Sequence, residues 1–209
     1  MNKLIVFDLD GVLIDSKEIH FNALNLALDE FGSDLVITRD EQDSTFEGLT
    51  TKAKLNILTE IKGLPEILHD DIWKLKQEYS ATLFTSVSPD KELIGLFKFI
   101  KSSGIKVAVA SNSIRNTLDS CLTSLGLISL VDYSLSNEDV MLPKPSPEIY
   151  NMAMSHFSTD MNNTVIFEDS PVGRQAARSS GAKLIEVENR SDLTFDKIND
   201  SIEYLNGMK

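Results

Sequence analysis

The chain has 209 residues, of which 42% are hydrophobic and 25% are charged, values close to those of ordinary globular proteins. Its 20 basic and 32 acidic residues give a formal net charge of −12. We therefore expect neither nucleic acid nor a membrane as a partner, because non-specific binding to either needs a basic surface. A small anionic substrate is still compatible, because a metal ion or a few local cations can outweigh distant charge.

The beginning of the chain does not look like an export signal. Its apolar run, Leu4–Phe7, stops at Asp8 and is shorter than the hydrophobic region of a secretory leader. No later run approaches the ~18 apolar residues of a membrane span. The single cysteine, Cys121, excludes an internal disulfide and shares a helical apolar stripe, so we expect it to be buried rather than catalytic. These features predict a soluble, cytoplasmic protein, which we expect to be a monomer.

Short apolar runs predict buried strands of a parallel sheet. The runs are Leu4–Phe7, Ile105–Ala110, Val131–Leu135, Thr164–Phe167 and Leu184–Val187. Amphipathic stripes separate the later runs, and Ser146-Pro147 and Ser170-Pro171 each predict an N-cap followed by proline at the first helical position. This alternation is typical of an α/β fold with a mainly parallel sheet.

The gap between the first two predicted strands is much longer than the dozen or so residues that a crossover needs. Its apolar stripes, near residues 19–31, 55–61 and 67–84, have helical spacing. We therefore predict an inserted helical domain at residues 17–83 and a core domain made of residues 1–16 and 84–209.

Polar side chains follow the predicted strands at their carboxyl ends, where parallel α/β sheets place their ligands. These side chains belong to Asp8, Asp10, Ser111, Asn112, Glu168 and Asp169, with Lys144 in a nearby loop. Carboxylates from separate strands suit a hard cation such as Mg²⁺, and a lysine beside a hydroxyl suits a phosphoryl group. An aspartate can attack that group, and a second acid two residues on can protonate the leaving oxygen and then activate water.

Each feature alone has a simpler explanation. The Asp8-x-Asp10 pair also occurs in metal-using glycosyltransferases, Ser111 could be an N-cap, and Lys144 could be a solvated lysine. Glu168 and Asp169 could be carboxylates that favour a helix N-terminus. Only the combination indicates a single site.

Four stretches together resemble the motifs of the haloacid dehalogenase-like hydrolase superfamily, in the order expected for that family. They are Phe7–Ser16, Val109–Ser113, Pro143–Pro147 and Ile166–Ser170. The resemblance implies a three-layer Rossmann-like parallel-sheet core with an inserted α-helical cap of the first type. The most similar subgroup contains β-phosphoglucomutase and small sugar-phosphate phosphatases, which implies Mg²⁺ as cofactor and an aspartyl-phosphate intermediate.

The resemblance also implies a role for each matching residue. Asp8 would be the nucleophile and Asp10 the general acid/base. Ser111, Asn112 and Lys144 would bind the transferring phosphoryl group. The implied metal ligands are Asp8, Asp10 through its backbone carbonyl, Asp169, and, directly or through a water, Glu168.

The candidate substrate residues of the inserted domain are His20, Gly48 and Lys52. His20 matches a cap-proximal histidine of the phosphomutases, and a partly exposed helix histidine explains it equally well. Gly48 matches a cap glycine that lets the backbone approach the substrate. The basic residue that usually follows this glycine is missing at its usual offset, and Lys52 and Lys54 are the candidate substitutes. This departure disfavours a mutase, which must grip two phosphates alternately.

The sequence therefore predicts a Mg²⁺-dependent phosphatase that hydrolyses a small phosphorylated metabolite, such as a sugar or polyol phosphate. A sugar phosphomutase is the alternative on the same scaffold. A non-catalytic phosphate-binding module is a third possibility, which is disfavoured because no catalytic position is missing.

Overall fold

The computed structural model describes residues 2–46 and 49–207, and it divides the chain into two compact units. The larger unit consists of the described residues up to Ser16 together with those from Val87 onward. The inserted unit is Lys17–Ser86, and its last helix runs to Phe84. The inserted segment therefore continues slightly beyond residue 83, because the helix and the short connection after it belong to the same unit.

The strands of the larger unit are all parallel and form one sheet. They are β1 (Leu4–Phe7), β2 (Lys106–Ala110), β3 (Tyr133–Leu135), β4 (Thr164–Glu168) and β5 (Lys183–Glu186). Their order is β3-β2-β1-β4-β5. The five predicted strands are confirmed, with small differences at their ends. β1 occupies the centre, and its Phe7 is in register with Val109 on one side and Phe167 on the other.

Most of the helices were expected from the sequence, whereas those at Arg39–Glu41 and Phe195–Leu205 were not predicted. In chain order they are α1 (Lys17–Asp29), α2 (Arg39–Glu41), α3 (Thr51–Lys62), α4 (His69–Phe84), α5 (Lys91–Ser102), α6 (Arg115–Ser124), α7 (Glu148–His156), α8 (Pro171–Ser180) and α9 (Phe195–Leu205). Ser170 caps α8 as predicted, since its hydroxyl accepts a hydrogen bond from Gly173 N at 3.0 Å. Cys121 is fully buried on α6, as expected.

The predicted start of α7 is wrong by one residue. Pro147 is the N-cap rather than the first helical residue, because its ψ of 0° lies outside the helical range. The helix therefore begins at Glu148, whose N–H donates to the Ser146 hydroxyl at 3.3 Å.

Helices cover both faces of the sheet, so the larger unit has three layers. Leu4 and Val6 pack into an apolar cluster that also contains Tyr150 of α7. On the opposite face, the ring of Phe7 stacks on Phe97 of α5 with a centroid distance of 5.1 Å. The predicted Rossmann-like α/β class is confirmed.

The inserted unit is helical and has its own apolar core. The core side chains include Leu24, Leu28, Phe46, Leu58 and Ile72. Two residues of the predicted stripes, Ile61 and Ile67, are exposed instead, because Ile67 precedes α4 in a short 3₁₀ turn and Ile61 lies near the end of α3. Within residues 2–46 and 49–207, no helix combines the length and the apolar character needed to cross a membrane.

Candidate active site

The carboxyl edge of the sheet brings distant parts of the chain together around β1. Asp8 follows β1 directly, and its N–H donates to Phe167 O at 3.0 Å. Ser111 follows β2, and its N–H donates to Leu135 O at 2.9 Å. Because these bonds extend the parallel pairing past the strand ends, the first polar residue after each strand is held at the same edge.

A buried lysine lies at the centre of this edge. The ammonium of Lys144 donates to Asp8 Oδ1 at 2.7 Å, to Ala110 O at 2.8 Å and to Glu168 Oε1 at 2.6 Å. Lys144 is 6% exposed and Glu168 is 0% exposed. A lysine ammonium has three hydrogens, so each of them has a protein acceptor here.

One ammonium faces two buried carboxylates, and this imbalance of charge acts on the pKa of Lys144 and on that of Asp8. Burial by itself lowers the pKa of Lys144, but the negative charge of Asp8 and Glu168 outweighs it and holds the pKa well above its ordinary value. Burial raises the pKa of Asp8 well above its usual range, and repulsion by Glu168 adds to the effect. The site therefore has a deficit of positive charge.

The Glu168 carboxylate is held from several sides. Tyr150, fully buried on α7, donates its hydroxyl hydrogen to Glu168 Oε1 at 2.6 Å. The Ser170 hydroxyl lies 3.3 Å from the other carboxylate oxygen. A Cβ at Gly173 would lie 1.9 Å from Glu168 Oε1, so only glycine fits there without displacing the carboxylate.

Asp169 is the carboxylate whose surroundings best fit a metal ion. Its Oδ1 is buried without a hydrogen-bond partner among the described residues. Burial, followed by repulsion from Glu168, raises the pKa of Asp169 to about 6. Oxygens of Asp8, Glu168 and Asp169 lie within 4.8 Å of one another. An unpartnered buried oxygen in an all-carboxylate group is the donor set that a hard divalent cation prefers.

The Asp10 carboxylate lies outside that group of three and is held by two hydroxyls. Ser16 Oγ donates to Asp10 Oδ1 at 2.5 Å, and Ser113 Oγ donates to Oδ2 at 3.1 Å. The backbone turns sharply directly after Asp10, at Gly11, which has a φ of +83°. A Cβ there would lie 2.0 Å from Asp169 Oδ2, so both the backbone conformation and the space require glycine.

The two polar residues after β2 have different surroundings. The Ser111 hydroxyl accepts a hydrogen bond from Ser113 N at 2.9 Å, which leaves its own hydrogen to donate. Asn112 does not aim its amide at the carboxylates. Its side chain accepts from Lys144 N at 3.1 Å and donates to Lys144 O at 3.2 Å, so it clamps the loop that carries the lysine.

Of the predicted substrate residues of the inserted unit, the two that the structure describes, His20 and Lys52, do not form a comparable cluster. His20, on α1, is half-buried, and its Nδ1 lies 3.2 Å from the ammonium of Lys76 on α4. Lys52 is exposed in the first turn of α3. Gly48 lies outside the described residues. Lys54 is half-buried and donates to the Gln42 side chain at 2.9 Å.

Sequence reasoning missed several residues that the structure places at or beside these groups. Ser16 and Ser113 lie inside the matched stretches, so their hydroxyls next to Asp10 could have been suspected. Tyr150 carried no signal, because a tyrosine in the apolar stripe of a helix looks like ordinary core. Lys76 of α4 carried no signal either, because it looks like a surface lysine in the sequence, although it is only 7% exposed.

Comparison with known proteins supplies the family and the fold. The sequence model described as haloacid dehalogenase-like hydrolase matches residues 5–187. A phosphorylated carbohydrates phosphatase from Thermotoga maritima is 25% identical over 181 residues, which cover 87% of this chain and 82% of that protein.

Solved structures with the same fold cover nearly the whole chain. CbbY from Rhodobacter sphaeroides, in complex with phosphate, has a TM-score of 0.76 and 24% identity, and the match covers 89% of this chain and 86% of that one. A putative β-phosphoglucomutase from Thermotoga maritima has a TM-score of 0.73 and 24% identity, covering 99% and 98% respectively. At these identities the structures establish a shared fold.

Proposed function

The chain belongs to the haloacid dehalogenase-like hydrolases, and from that premise we propose that it is a Mg²⁺-dependent phosphatase of small phosphorylated metabolites, sugar or polyol phosphates above all. The observation that carries the proposal is the buried contact of Asp8 with Lys144, within a group of three carboxylates whose negative charge exceeds the positive charge of the one ammonium. The phosphatase name of the Thermotoga maritima relative supports the same reaction class.

Asp8 is the proposed nucleophile. An oxygen of its carboxylate attacks phosphorus, and the bond from phosphorus to the ester oxygen breaks, which leaves an aspartyl-phosphate and an alkoxide leaving group. Lys144 fixes the orientation of the Asp8 carboxylate by bonding to Oδ1. It also offers positive charge to the phosphoryl oxygens.

Asp10 is the proposed general acid and base. It gives a proton to the leaving oxygen in the first step, and it then takes one from the water that cleaves the aspartyl-phosphate and releases inorganic phosphate. The hydroxyls of Ser16 and Ser113 hold both of its oxygens and so limit the rotation of the carboxylate. Asp10 needs this restraint because its carboxylate must act first on the oxygen of the leaving group and then on the oxygen of the attacking water.

The residues present fit a divalent metal ion. Asp8, Asp169 and Glu168 would hold it, together with the backbone carbonyl of Asp10. When bound, Mg²⁺ supplies positive charge that offsets the phosphoryl oxygens and the carboxylates. The proposed phosphate-binding residues are Lys144 and Ser111, whose free hydroxyl hydrogen can be donated to a phosphoryl oxygen. Asn112 acts on the same group through the Lys144 loop that it clamps.

Water, rather than a sugar hydroxyl, is the proposed acceptor of the phosphoryl group. A mutase must hold the far phosphate of a bisphosphate firmly, which a bidentate arginine does better than a flexible lysine. Arg39, the arginine of the inserted unit, is engaged in an ion pair with Glu18. Of the two candidate cations, Lys54 is the one we favour, because its ammonium is half-buried and would gain more from an anionic partner than that of the exposed Lys52.

Phosphate release from a panel of phosphorylated metabolites, with and without Mg²⁺, tests the proposal. We expect release that depends on Mg²⁺ and disappears in an Asp8→Asn variant. A phosphorus NMR experiment with a hexose 1-phosphate and catalytic bisphosphate separates the alternatives. Rapid conversion to the 6-phosphate with little free phosphate would identify a phosphomutase instead. Phosphate binding without turnover on any substrate would favour the non-catalytic module.

A further inference from the structure

The Lys144 ammonium has no hydrogen left for a substrate. Its three hydrogens are directed at Asp8 Oδ1, Ala110 O and Glu168 Oε1, at 2.7, 2.8 and 2.6 Å. A phosphoryl oxygen can therefore gain a hydrogen bond from Lys144 only if one of these three acceptors gives up its own. The loss is costly for a buried acceptor that has no second donor.

Of the three acceptors, Glu168 Oε1 loses the least stabilisation when its hydrogen bond from Lys144 is broken. The Tyr150 hydroxyl already donates to this oxygen at 2.6 Å, so it keeps a charge-assisted hydrogen bond when the ammonium turns away. Tyr150 is itself fully buried on α7, so its hydroxyl is held in place against this oxygen. Its ring lies beneath the ammonium, with Lys144 Nζ 5.0 Å from the ring centroid.

We propose that Tyr150 is a positioning residue that holds the Glu168 carboxylate and thereby frees the Lys144 ammonium for the phosphoryl group. The inference rests on the proposed phosphatase function and adds a residue outside the recognised motif roles. Without the hydroxyl, Glu168 depends on Lys144 for its strongest hydrogen bond, so the ammonium stays bound to Glu168 and is not available to the phosphoryl group. The expected consequence is weaker binding of phosphate, not a slower chemical step.

The substitution Tyr150→Phe removes the hydroxyl and leaves the ring in the apolar cluster, so the fold is retained. The probe is inorganic phosphate, titrated at saturating Mg²⁺ by calorimetry. We expect the Kd of Tyr150→Phe to rise roughly tenfold, the effect of one hydrogen bond to a charged group. Tyr79→Phe is the matched control, because it removes a tyrosine–carboxylate hydrogen bond, to Glu30 at 2.9 Å, in the inserted unit. Its Kd should equal that of the wild type.

Kinetics and a double variant show whether the effect passes through Glu168. The KM for the best substrate should rise in parallel with the phosphate Kd, while kcat changes by less than about threefold. In a Glu168→Gln background, adding Tyr150→Phe should change the Kd by less than about twofold, because a neutral amide holds the ammonium weakly. A full tenfold effect in that background would overturn the proposal.

The outcome also separates this inference from the proposed function. A wild-type protein that neither binds phosphate nor releases it from any substrate refutes the phosphatase proposal. A wild-type protein that does both, with a Tyr150→Phe variant that has a lower unfolding temperature but an unchanged phosphate Kd, refutes only the role of Tyr150. In that case the hydroxyl serves stability alone.

Discussion

The two units of the chain differ in how their charged side chains are placed. In the larger unit, Asp8 and Glu168 are buried at strand ends, and each of them bonds to the ammonium of Lys144, which lies in a buried loop position. In the inserted unit, the cations Lys52 and Lys54 lie on a helix, exposed and half-buried respectively. Strand pairing fixes the positions of Asp8 and Glu168, and Asn112 clamps the backbone of Lys144. Side chains on a helix, in contrast, are spread around its surface.

This difference indicates where in the chain catalytic groups and substrate-selecting groups can be located. A position at a strand end is set by the backbone pairing of the whole sheet, so its side chain has little freedom. A position on a helix surface leaves a long side chain with several rotamers. We therefore expect all-or-none effects from substitutions in the first group and graded effects in the second, and the following experiments test that expectation in order of effect size.

The substitution Asp8→Asn should have the largest effect. An amide is a poor nucleophile, so turnover should fall by a factor on the order of 10⁴ or more, as for the loss of other catalytic nucleophiles. The fold should persist, since the amide oxygen can still accept from Lys144. Steady-state kinetics measure the turnover, and circular dichroism measures whether the fold persists. Near-normal turnover in pure, folded protein would remove Asp8 from the nucleophile role.

Removal of divalent ions should stop turnover, with recovery on addition of Mg²⁺. Ca²⁺ should inhibit, because its looser coordination lets Asp8 chelate the ion instead of attacking. Asp169→Asn should mimic chelation, and isothermal titration with Mg²⁺ should show the loss of binding directly. Activity that survives thorough chelation would contradict the metal site.

The same site predicts how pH acts. Because the pKa of Asp169 is raised to about 6, a proton competes with the ion, and the affinity for Mg²⁺ should fall between about pH 7 and pH 5. For the metal-free protein the sign is opposite. The folded state holds this proton more tightly than the unfolded state, so its contribution to stability is lost as pH rises from about 4 to about 6. Thermal melts with and without Mg²⁺ across this range check both trends.

Asp10→Asn should have a smaller effect than Asp8→Asn. General acid and base catalysis is typically worth ~10²–10⁴-fold, and the nucleophile is still present. Substrates with a good leaving group, such as an aryl phosphate, need less protonation and should be impaired less in the first step. A rate profile over leaving groups of different acidity measures this, and an equal loss for all of them would argue against an acid at Asp10.

Gly173→Ala should reduce both stability and activity. The new methyl group would lie 1.9 Å from Glu168 Oε1, which forces the buried carboxylate to move, and overpacking of this kind costs about 1–3 kcal/mol. Gly95→Ala is the matched control in a helix, since nothing lies within 4 Å of its added Cβ. That variant should be more stable than the wild type by about 0.5–1 kcal/mol. Urea unfolding distinguishes them, and equal effects would contradict the close packing at Gly173.

The smallest effect is expected from the cations of the inserted unit. Burial lowers the pKa of Lys54, whose ammonium donates to the neutral Gln42 amide, so an incoming anion would stabilise its charge. Lys54→Ala should raise the KM for the best substrate by about three- to fivefold with little change in kcat. Lys52→Ala, on the exposed side chain, should leave the KM unchanged. A larger effect of Lys52→Ala would exchange the two roles.

The sequence predicted most where periodicity and topology act together. The apolar runs that became β1 and β4 identified the strand ends, and the polar residues after them therefore had to share one edge. Asp8 and Glu168 could be grouped on this basis, whereas Lys144, which follows no strand, was only expected in a nearby loop. The start of α7 was misplaced because proline is compatible with both the N-cap and the first helical position, and only the ψ of Pro147 decides between them.

What could not be predicted depends on side-chain direction. Nothing in the apolar stripe of α7 indicates that the Tyr150 hydroxyl is directed at a carboxylate, since buried tyrosines usually bond to whatever acceptor is near. The same holds for Lys76, which looks like a surface lysine in the sequence but lies beside His20. Helix periodicity says which face a residue occupies, whereas the identity of its partner depends on packing between elements that are far apart in the chain.

The central place of β1 has a consequence for the order of assembly. Leu4 pairs with Lys106 on one side and with Thr164 on the other, so the strand before Asp8 has no neighbour until about a hundred further residues have been made. At synthesis rates of roughly 5–20 residues per second, this interval lasts roughly 5–20 s. The apolar core of the inserted unit, by contrast, draws its buried members from Leu24 to Ile72 and can close during that time. The helical insertion therefore has the chance to fold on the ribosome first, and Asp8, the proposed nucleophile, acquires its complete surroundings only when β4 has been made.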